Sequence, residues 1–477
     1  MYEKQNFLHK IAVWLFAVWC GLLAIANLVQ FLGRQTAWYV SLFSVCAAVL
    51  VIAACYLLSG PLSKLKGWQL CLLLFAGSLA LKLAVVYCIA PAEYSDYATF
   101  RQGAALIAKG DVSFVTRLPY YSIWAYQFGF EWLISHIFKL FGRWDAVFGL
   151  VVNSFFAAGC TPLMAALGEK ISSRKNAVFA ALLFTVLPIT INLSAVFTNQ
   201  HVSLFFILLA LWVLLRRPDW LGGLLAGVCL SLAKVARADV IVYLAAIVVA
   251  FVLLKREKKP LIGLVVMAAS YVAVFKLVEV VIAPLQPYGL GNNFPLYKFA
   301  VGLDESSLGR YSIRMQDEIF SNDAYVADHV LRDAETMKII REELAIGPAR
   351  LAKLFVEKAK IQWTNYLHSY EILHDLLQQP DAAVLGGRVS AGVVNNTLFQ
   401  WDSAMRTLLF AASAVCGVLS ARKKEISLGF SILLLAFMAF SAIAFVIEVQ
   451  YRYAYFVFPA VCVAAALVPE LIKEVRK

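Results

Sequence analysis

The sequence predicts an all-α polytopic membrane protein with about twelve transmembrane helices, an amphipathic external helix and an outer soluble domain. Three observations carry this expectation. Of 477 residues, 62% are hydrophobic and 15% are charged, whereas a soluble chain has roughly 45–50% apolar and about 25% charged residues. The apolar residues gather in stretches of roughly 20, the length a helix needs to cross the hydrocarbon core at about 1.5 Å per residue. Basic residues recur between these stretches in an order that sorts them onto one side of a membrane. So little polar surface cannot coat a water-soluble globule, which excludes a soluble enzyme, a secreted disulfide scaffold and a disordered chain. The apolar excess also runs through too much of the sequence for a single anchor.

Candidate spans lie at 11–31, 38–58, 68–90, 146–167, 177–196, 200–215, 220–233, 239–254, 261–283, 405–421, 426–447 and 453–470. Those between 200 and 254 are short. The first lacks a small-residue cleavage site and reads as a retained span, not a signal peptide. Segment 121–141 is ambiguous: Gln127, Glu131, Ser135 and Lys139 recur every four residues and mark one polar helix face. It either lies in the interface or spans with the stripe turned inward. The positive-inside rule decides. With 121–141 left out of the crossings, the basic groups at 4–10, 64–66, 170–175, 216–217, 255–259, 422–424 and 473–477 share one side, expected to be the cytoplasm together with both termini. Counting it as a span would put the 255–259 cluster and the two groups before it outside.

That topology divides the chain into an N-terminal transmembrane region, 1–283, carrying an external loop at 91–145; an extracytoplasmic soluble domain, 284–404; and C-terminal transmembrane helices, 405–477. The soluble domain opens on turn chemistry (Pro284, Pro287, Gly289, Gly291, Asn292, Asn293) and continues with helix-like stretches near 333–345 and 347–366.

The net charge of +12 therefore marks a membrane side, and no nucleic-acid partner is expected. All nine cysteines (Cys20, Cys46, Cys55, Cys71, Cys88, Cys160, Cys229, Cys416, Cys462) fall in or beside apolar stretches. Without CxxC or Cys/His spacing they support neither a disulfide framework nor a zinc site. There is no GxGxxG after a strand and no Walker A motif, so no nucleotide-binding domain is visible.

Chemistry concentrates at the outer boundary. The first external loop begins Ala90-Pro91-Ala92-Glu93-Tyr94-Ser95-Asp96-Tyr97, with two carboxylates three apart just past a span. An acid at a membrane mouth can act as general base on a hydroxyl or amine; the alternative is a solvated acid that caps a helix. The aromatic run Pro119-Tyr120-Tyr121-Ser122-Ile123-Trp124 follows. Arg237 and Arg452 fall outside, against the positive-inside trend, and arginine is the fork-shaped partner for phosphate. Structural pairs, Arg237 with Asp239 or Arg452 with Glu448, are the alternative reading. Lys82 lies about 12 Å of helix rise below the outer end of its span and either snorkels or faces a cavity. Lys276 and Glu279 have the spacing of a helical ion pair. Asn153, Asn192 and His201 suit interhelical hydrogen bonds. His136 and His329 have no ligand-like partners.

Asp96, the following Tyr97-Ala98-Thr99-Phe100, the amphipathic stretch to Asp111 and the aromatic/Pro segment together resemble the first outer loop of the GT-C glycosyltransferases. These include the protein O-mannosyltransferases and the lipid A aminoarabinose transferase, and they use polyprenyl-phosphate sugars on the outer face of the membrane. Glu448-Val449-Gln450-Tyr451-Arg452-Tyr453 is similar to the family's outward "E-x-Q-x-R-Y" and is the most specific match. Thr198-Asn199-Gln200-His201 and Lys234-Val235-Ala236-Arg237-Ala238-Asp239 sit where the family places related patches, although Ala238 stands where proline is usual. Gly302 to Tyr311 resembles a patch of Gram-positive members, with Asp304 in place of asparagine.

The resemblance implies that Asp96, or alternatively Glu93, is the catalytic acid, and that Arg237, Arg452 and Lys82 hold the donor phosphate. It implies substrate contacts from Tyr97, Tyr120, Tyr121, Gln200, His201, Glu448, Gln450 and Tyr453. The implied partners are a polyprenyl-phosphate sugar, an envelope glycan, lipid or protein acceptor, and the bilayer of a bacterial plasma membrane with the active site outside. Some members use a divalent metal, Mg or Mn, but no convincing ligand set is present here. The implied reaction is an inverting transfer, for which one base suffices, unlike the two carboxylates of retaining hydrolases. A lipid-linked glycan ligase or polymerase differs from this only in donor size. A transporter or flippase predicts polar groups at the bilayer midplane and no large external domain, and a non-catalytic assembly subunit predicts that Asp96 is dispensable.

Overall fold

Apolar helices dominate the computed structural model, which describes every residue except 1, 5–6, 35, 90–92, 255–257, 321, 323–324, 326–327, 365–380, 382, 385–386 and 476–477. Lys255, Arg256, Arg476 and Lys477 of the basic groups, and Ala90, Pro91 and Ala92 of the loop motif, lie outside the described residues. Eight described helices are long and apolar enough to cross a membrane: Phe7–Gly33, Trp38–Leu62, Gly67–Cys88, Ala146–Gly168, Asn199–Arg216, Pro260–Ile282, Ala391–Ala421 and Tyr451–Val475. The stretch expected at 177–196 is a bent pair, Arg174–Val186 and Pro188–Ser194. Three shorter apolar helices, Trp220–Ala236, Val240–Val252 and Leu428–Ala444, fall on the remaining expected stretches. The chain is a multi-pass membrane protein, and its fold is all-α apart from two small two-stranded pairings.

The 54° bend has a covalent cause. Pro188 has no N–H, and its ring excludes the carbonyl four residues earlier. The Thr190 hydroxyl reaches the Phe184 and Leu187 carbonyls at 2.9 and 2.8 Å. Just beyond, the Asn153 amide donates to the Leu193 and Val196 carbonyls at 3.1 and 2.8 Å. The broken backbone is thereby satisfied within protein, as a membrane interior demands. Trp220–Ala236 lies against Lys258–Ile282 through a GxxxG spacing: a Cβ on Gly223 would stand 2.0 Å from the Gly263 carbonyl, and one on Gly227 1.9 Å from the Ser270 hydroxyl. Small residues there let the two backbones touch.

The bundle has two chemically distinct ends. Strand Tyr2–Lys4 pairs antiparallel with Glu425–Ser427, Lys423 pairs with Glu474, Arg174 donates to the Leu65 carbonyl, and Glu470 accepts from Ser172 and Asn176. Both ends of the chain therefore meet the loops around 65, 172 and 425 at one pole. The opposite pole carries the first external loop and the hydrophilic segment. That segment builds helices Tyr297–Leu303, His329–Leu344 and Pro348–Thr364 over a core that includes Phe294, Tyr297, Met315, Ile319 and Ile339, with Ile123 of the external loop in the same cluster. Asn293 and Gln286 donate to the Ser122 and Ala125 carbonyls, so the segment is docked on the loop.

Two sequence readings gain physical detail. Helix Phe128–Phe141 has 14 residues, about 21 Å, too short for a hydrocarbon core of about 30 Å. Three of the four stripe residues face protein: Gln127, Glu131 and Ser135 are buried and Lys139 is exposed, and Glu131 accepts twice from the Tyr121 hydroxyl, at 3.0 and 2.9 Å. The second concerns the end of the hydrophilic stretch, expected at 404: it is helical from Ala391, within the single helix Ala391–Ala421 capped by Ser390. Its charged residues Asp402 and Arg406 pair inside the bundle. Arg406 bonds Asp402 at 2.9 Å and the Trp363 carbonyl at 3.2 Å, while the Tyr451 hydroxyl donates to Asp402 at 2.7 Å.

Arg406→Met should leave the buried Asp402 charge uncompensated and destabilise the protein by about 3–5 kcal/mol. Unfolding in detergent micelles measures this, and an unchanged midpoint would contradict the role assigned to the pair.

Candidate active site

Asp96 and Arg452, 356 positions apart, meet at the pole opposite the basic loops. Asp96 lies in the first turn of helix Ser95–Ala108. The entry is strained: Ser95 has φ 49°, a left-handed conformation that non-glycine residues seldom adopt and that clusters at functional sites. Arg452 Nη2 donates to Asp96 Oδ2 at 3.2 Å, and Nε to Gln450 Oε1 at 2.6 Å. The guanidinium stands 5.0 Å from the Tyr97 ring centre, a cation–π distance. Gln200 donates to the Arg452 carbonyl at 2.5 Å. Asp96 keeps 35% of its side chain exposed and Arg452 16%, so the pair is open to a ligand.

Arg237 forms a second cationic group. It follows helix Trp220–Ala236 in extended backbone, pairs with Asp239 and donates to Asn199 Oδ1 at 3.0 Å. Asn199 in turn donates to Gln127 at 3.0 Å. The Arg237 guanidinium lies 5.3 Å from the Tyr453 ring centre and within electrostatic reach of Arg452. Two arginines thus converge on one mouth, the requirement for holding a phosphate.

Glu448 is buried among donors. It pairs with Lys298, accepts from Gln450 at 2.7 Å and has the Tyr453 hydroxyl at 3.5 Å. Lys298 also lies 4.9 Å from the Trp124 ring centre. Burial pushes the Glu448 carboxyl up, but Lys298, the Gln450 bond and Arg452 together outweigh it and hold the carboxyl below its ordinary value. Gln450 therefore links the buried Glu448–Lys298 pair to the open Arg452–Asp96 pair.

The remaining expected residues separate. Glu93 is committed to an ion pair with Arg101, which also donates to the Trp144 carbonyl at 2.9 Å. Tyr120 lies in the electrostatic neighbourhood of Asp96 and Glu131. Three expected contacts turn inward because their polar ends find partners in the bundle: the Tyr121 hydroxyl on Glu131, the Lys82 ammonium on Ser78 at 2.9 Å, and His201 Nδ1 at 2.6 Å from the Tyr455 hydroxyl. Lys276 and Glu279 form the expected helical pair at 2.6 Å. Sequence reasoning missed Gln127, Glu131 and Asn199 as site-building residues, although the polar stripe and the Thr198–His201 patch contained them. Lys298, in Leu296-Tyr297-Lys298-Phe299, gave no local signal. No group of three His, Cys, Asp or Glu residues suited to a metal gathers among the described residues; Asp96, Asp239 and Glu448 each face a cation instead. The donor set does not fit Mg or Mn.

Residues 128–282, about a third of the chain, match the family model for dolichyl-phosphate-mannose-protein mannosyltransferases. The matched region holds Asn199, Arg237 and Asp239 but neither Asp96 nor Arg452. Among solved structures, the chain is similar to the archaeal oligosaccharyltransferase AglB from Archaeoglobus fulgidus, in complex with an inhibitory peptide and a dolichol-phosphate. The identity is 14% and the TM-score 0.46, over 85% of this chain and 50% of that one. The chain thus spans about half the length of that protein. No curated protein matches it.

The depressed Glu448 carboxyl supplies stability that is present above the ordinary carboxylate pKa and is lost as pH falls through the lower folded value. Lys298→Met removes the main counter-charge, so the acid-side loss of stability should begin at higher pH than in the native protein. Unfolding midpoints measured from about pH 3 to 8 test this; superimposable profiles would contradict it.

Proposed function

We propose that the chain is a membrane glycosyltransferase that moves a sugar from a polyprenyl-phosphate donor to an acceptor hydroxyl at the outer face of a bacterial plasma membrane, with inversion. The observation that carries this reading is the half-open Asp96–Arg452 pair, with Arg237 beside it. The family match over 128–282 supports the donor class. The basic pole faces the cytoplasm by the positive-inside rule, which puts Asp96 outside.

In this mechanism Asp96 accepts the proton of the acceptor hydroxyl as its oxygen forms a bond to the anomeric carbon. The bond from that carbon to the phosphate oxygen breaks, and the electron pair leaves on the polyprenyl phosphate. Arg452 and Arg237 stabilise the charge that develops there. Arg452 also keeps the Asp96 carboxylate oriented through Oδ2. Tyr97 and Gln200 position the arginine, one beneath its guanidinium and one at its carbonyl. Lys82 is not assigned to the phosphate in this scheme, because its ammonium is buried on Ser78.

Asp96→Asn should lower transfer by about 10²–10⁴-fold, the usual contribution of a general base, and leave the unfolding midpoint and donor binding unchanged. Arg237→Ala should weaken donor binding by about ten-fold, in line with a lost charged hydrogen bond. A transfer assay with several polyprenyl-phosphate sugars and the purified protein reads both; full activity of the Asp96 variant would overturn the assignment.

A further inference from the structure

The hydrophilic segment carries a groove of about 570 Å³, within the size range of small-ligand sites. One wall is the turn Asp304–Leu308 and the other is the start of helix Pro348–Thr364. The turn is rigid. Asp304 accepts from the Ser306 amide and hydroxyl at 3.0 and 2.7 Å and from the Ser312 hydroxyl. Leu308 is held at φ 56°, followed by Gly309 at φ 72°. A bulky residue in that conformation is an outlier of the kind that surrounding structure must enforce.

The same turn is wired to the site. The Val449 amide donates to the Gly309 carbonyl at 2.8 Å, and Lys358 donates to the Gly302 carbonyl at 2.5 Å. Two positions after Gly309 stands Tyr311, a ring with 57% exposure that lies within electrostatic reach of both Glu448 and Asp96. Tyr311 thus offers an exposed aromatic face three residues along the chain from Leu308 of the groove wall.

Charged and polar side chains make up most of the groove lining. Arg350 pairs with Glu305 and Arg314 with Glu343 at 3.0 Å, so donors and acceptors of both signs line it beside Leu308, Ile346 and Leu354. Lys353 makes no ion pair among the described residues. Sugar hydroxyls donate and accept at once, which matches partners of both signs. A lipid acceptor needs continuous apolar lining, which charged walls do not give. A peptide acceptor needs partners for its main-chain amides, and the groove offers no strand edge among the described residues.

We propose that this groove binds the acceptor and that the acceptor is a carbohydrate chain, with Tyr311 stacking on the sugar presented to Asp96. The proposal rests on the transferase reading above and names its acceptor class. It is tested on the full-length protein in detergent micelles by saturation-transfer NMR. The probes are short soluble oligosaccharides, neutral in one arm and uronic-acid-containing in the other, and serine- and threonine-rich peptides of matched length. Oligosaccharides of at least one arm should bind. Lys353→Ala and Arg350→Ala should each weaken that binding by about ten-fold, as expected for one charged hydrogen bond, with polyprenyl-phosphate donor binding unchanged. Tyr311→Ala should weaken the same oligosaccharide binding, and Tyr311→Phe should restore it. Binding of peptides alone, binding of neither, or affinities indifferent to these substitutions would overturn the proposal. Oligosaccharide binding is read without turnover, so a failure of the transferase reading would appear in the donor assay and not here.

Discussion

The pole that carries Asp96 depends on how one short stretch is held between two apolar helices: the non-helical 448–450 and the 3-10 turn that opens Tyr451–Val475. Each polar main-chain group in such a stretch must find a partner inside the protein, because lipid offers none. The partners come from distant parts of the chain. The Glu448 amide donates to the Lys298 carbonyl and the Val449 amide to Gly309, each at 2.8 Å; the Arg452 carbonyl accepts from Gln200. The Tyr451 hydroxyl reaches the buried Asp402. The approach is close enough that a Cβ on Gly302 would stand 2.3 Å from the Ile447 carbonyl carbon. Arg452 is therefore placed by the outer segment, by the helix from Asn199 and by the helix from Ala391 together.

The charged pairs of this pole differ in burial, and the difference separates scaffold from site. Asp402 and Arg406 are sealed in the bundle and hydrogen-bonded by Tyr451 and Trp363. Glu448 is buried too, but its partner Lys298 is partly exposed and leans on Trp124. Asp96 and Arg452 are the open end of the same chain of contacts. Desolvating a charge is costly unless it is paired and hydrogen-bonded. The inner pairs meet that condition by themselves. The outer pair retains enough exposure for substrate to join it, and the strained Ser95 turn helps to hold it there.

Much of the architecture was legible because it follows from local composition. Eight expected apolar stretches lie on helices long enough to cross a membrane, one on the bent pair and three on shorter apolar helices, and the four-residue recurrence of Gln127, Glu131 and Ser135 marked a face that packs inward. Polar residues of the helix Ala391–Ala421 depend on distant contacts. Gln400, Asp402 and Arg406 look soluble in isolation, and only contacts with residues 43 and 49 positions away make them compatible with the bundle interior. The same holds for Lys82, Tyr121 and His201: their side-chain types suit a site, but their bonds to Ser78, Glu131 and Tyr455 turn them inward.

The sequence by itself determined that this chain lives in a membrane, which pole carries the basic loops, and which few charges are stranded at the other pole. Those properties follow from hydrophobicity, helix length and the sign of charge, all of which act locally. Only the tertiary structure decided how the stranded charges are partnered. Arg452 binds Asp96 and not Glu448, Glu448 binds Lys298, and Arg237 draws in Asn199 as well as Asp239. Pairing is a matter of distances between side chains far apart in sequence. The packing of helices around 448–453 sets those distances, and no local pattern encodes them.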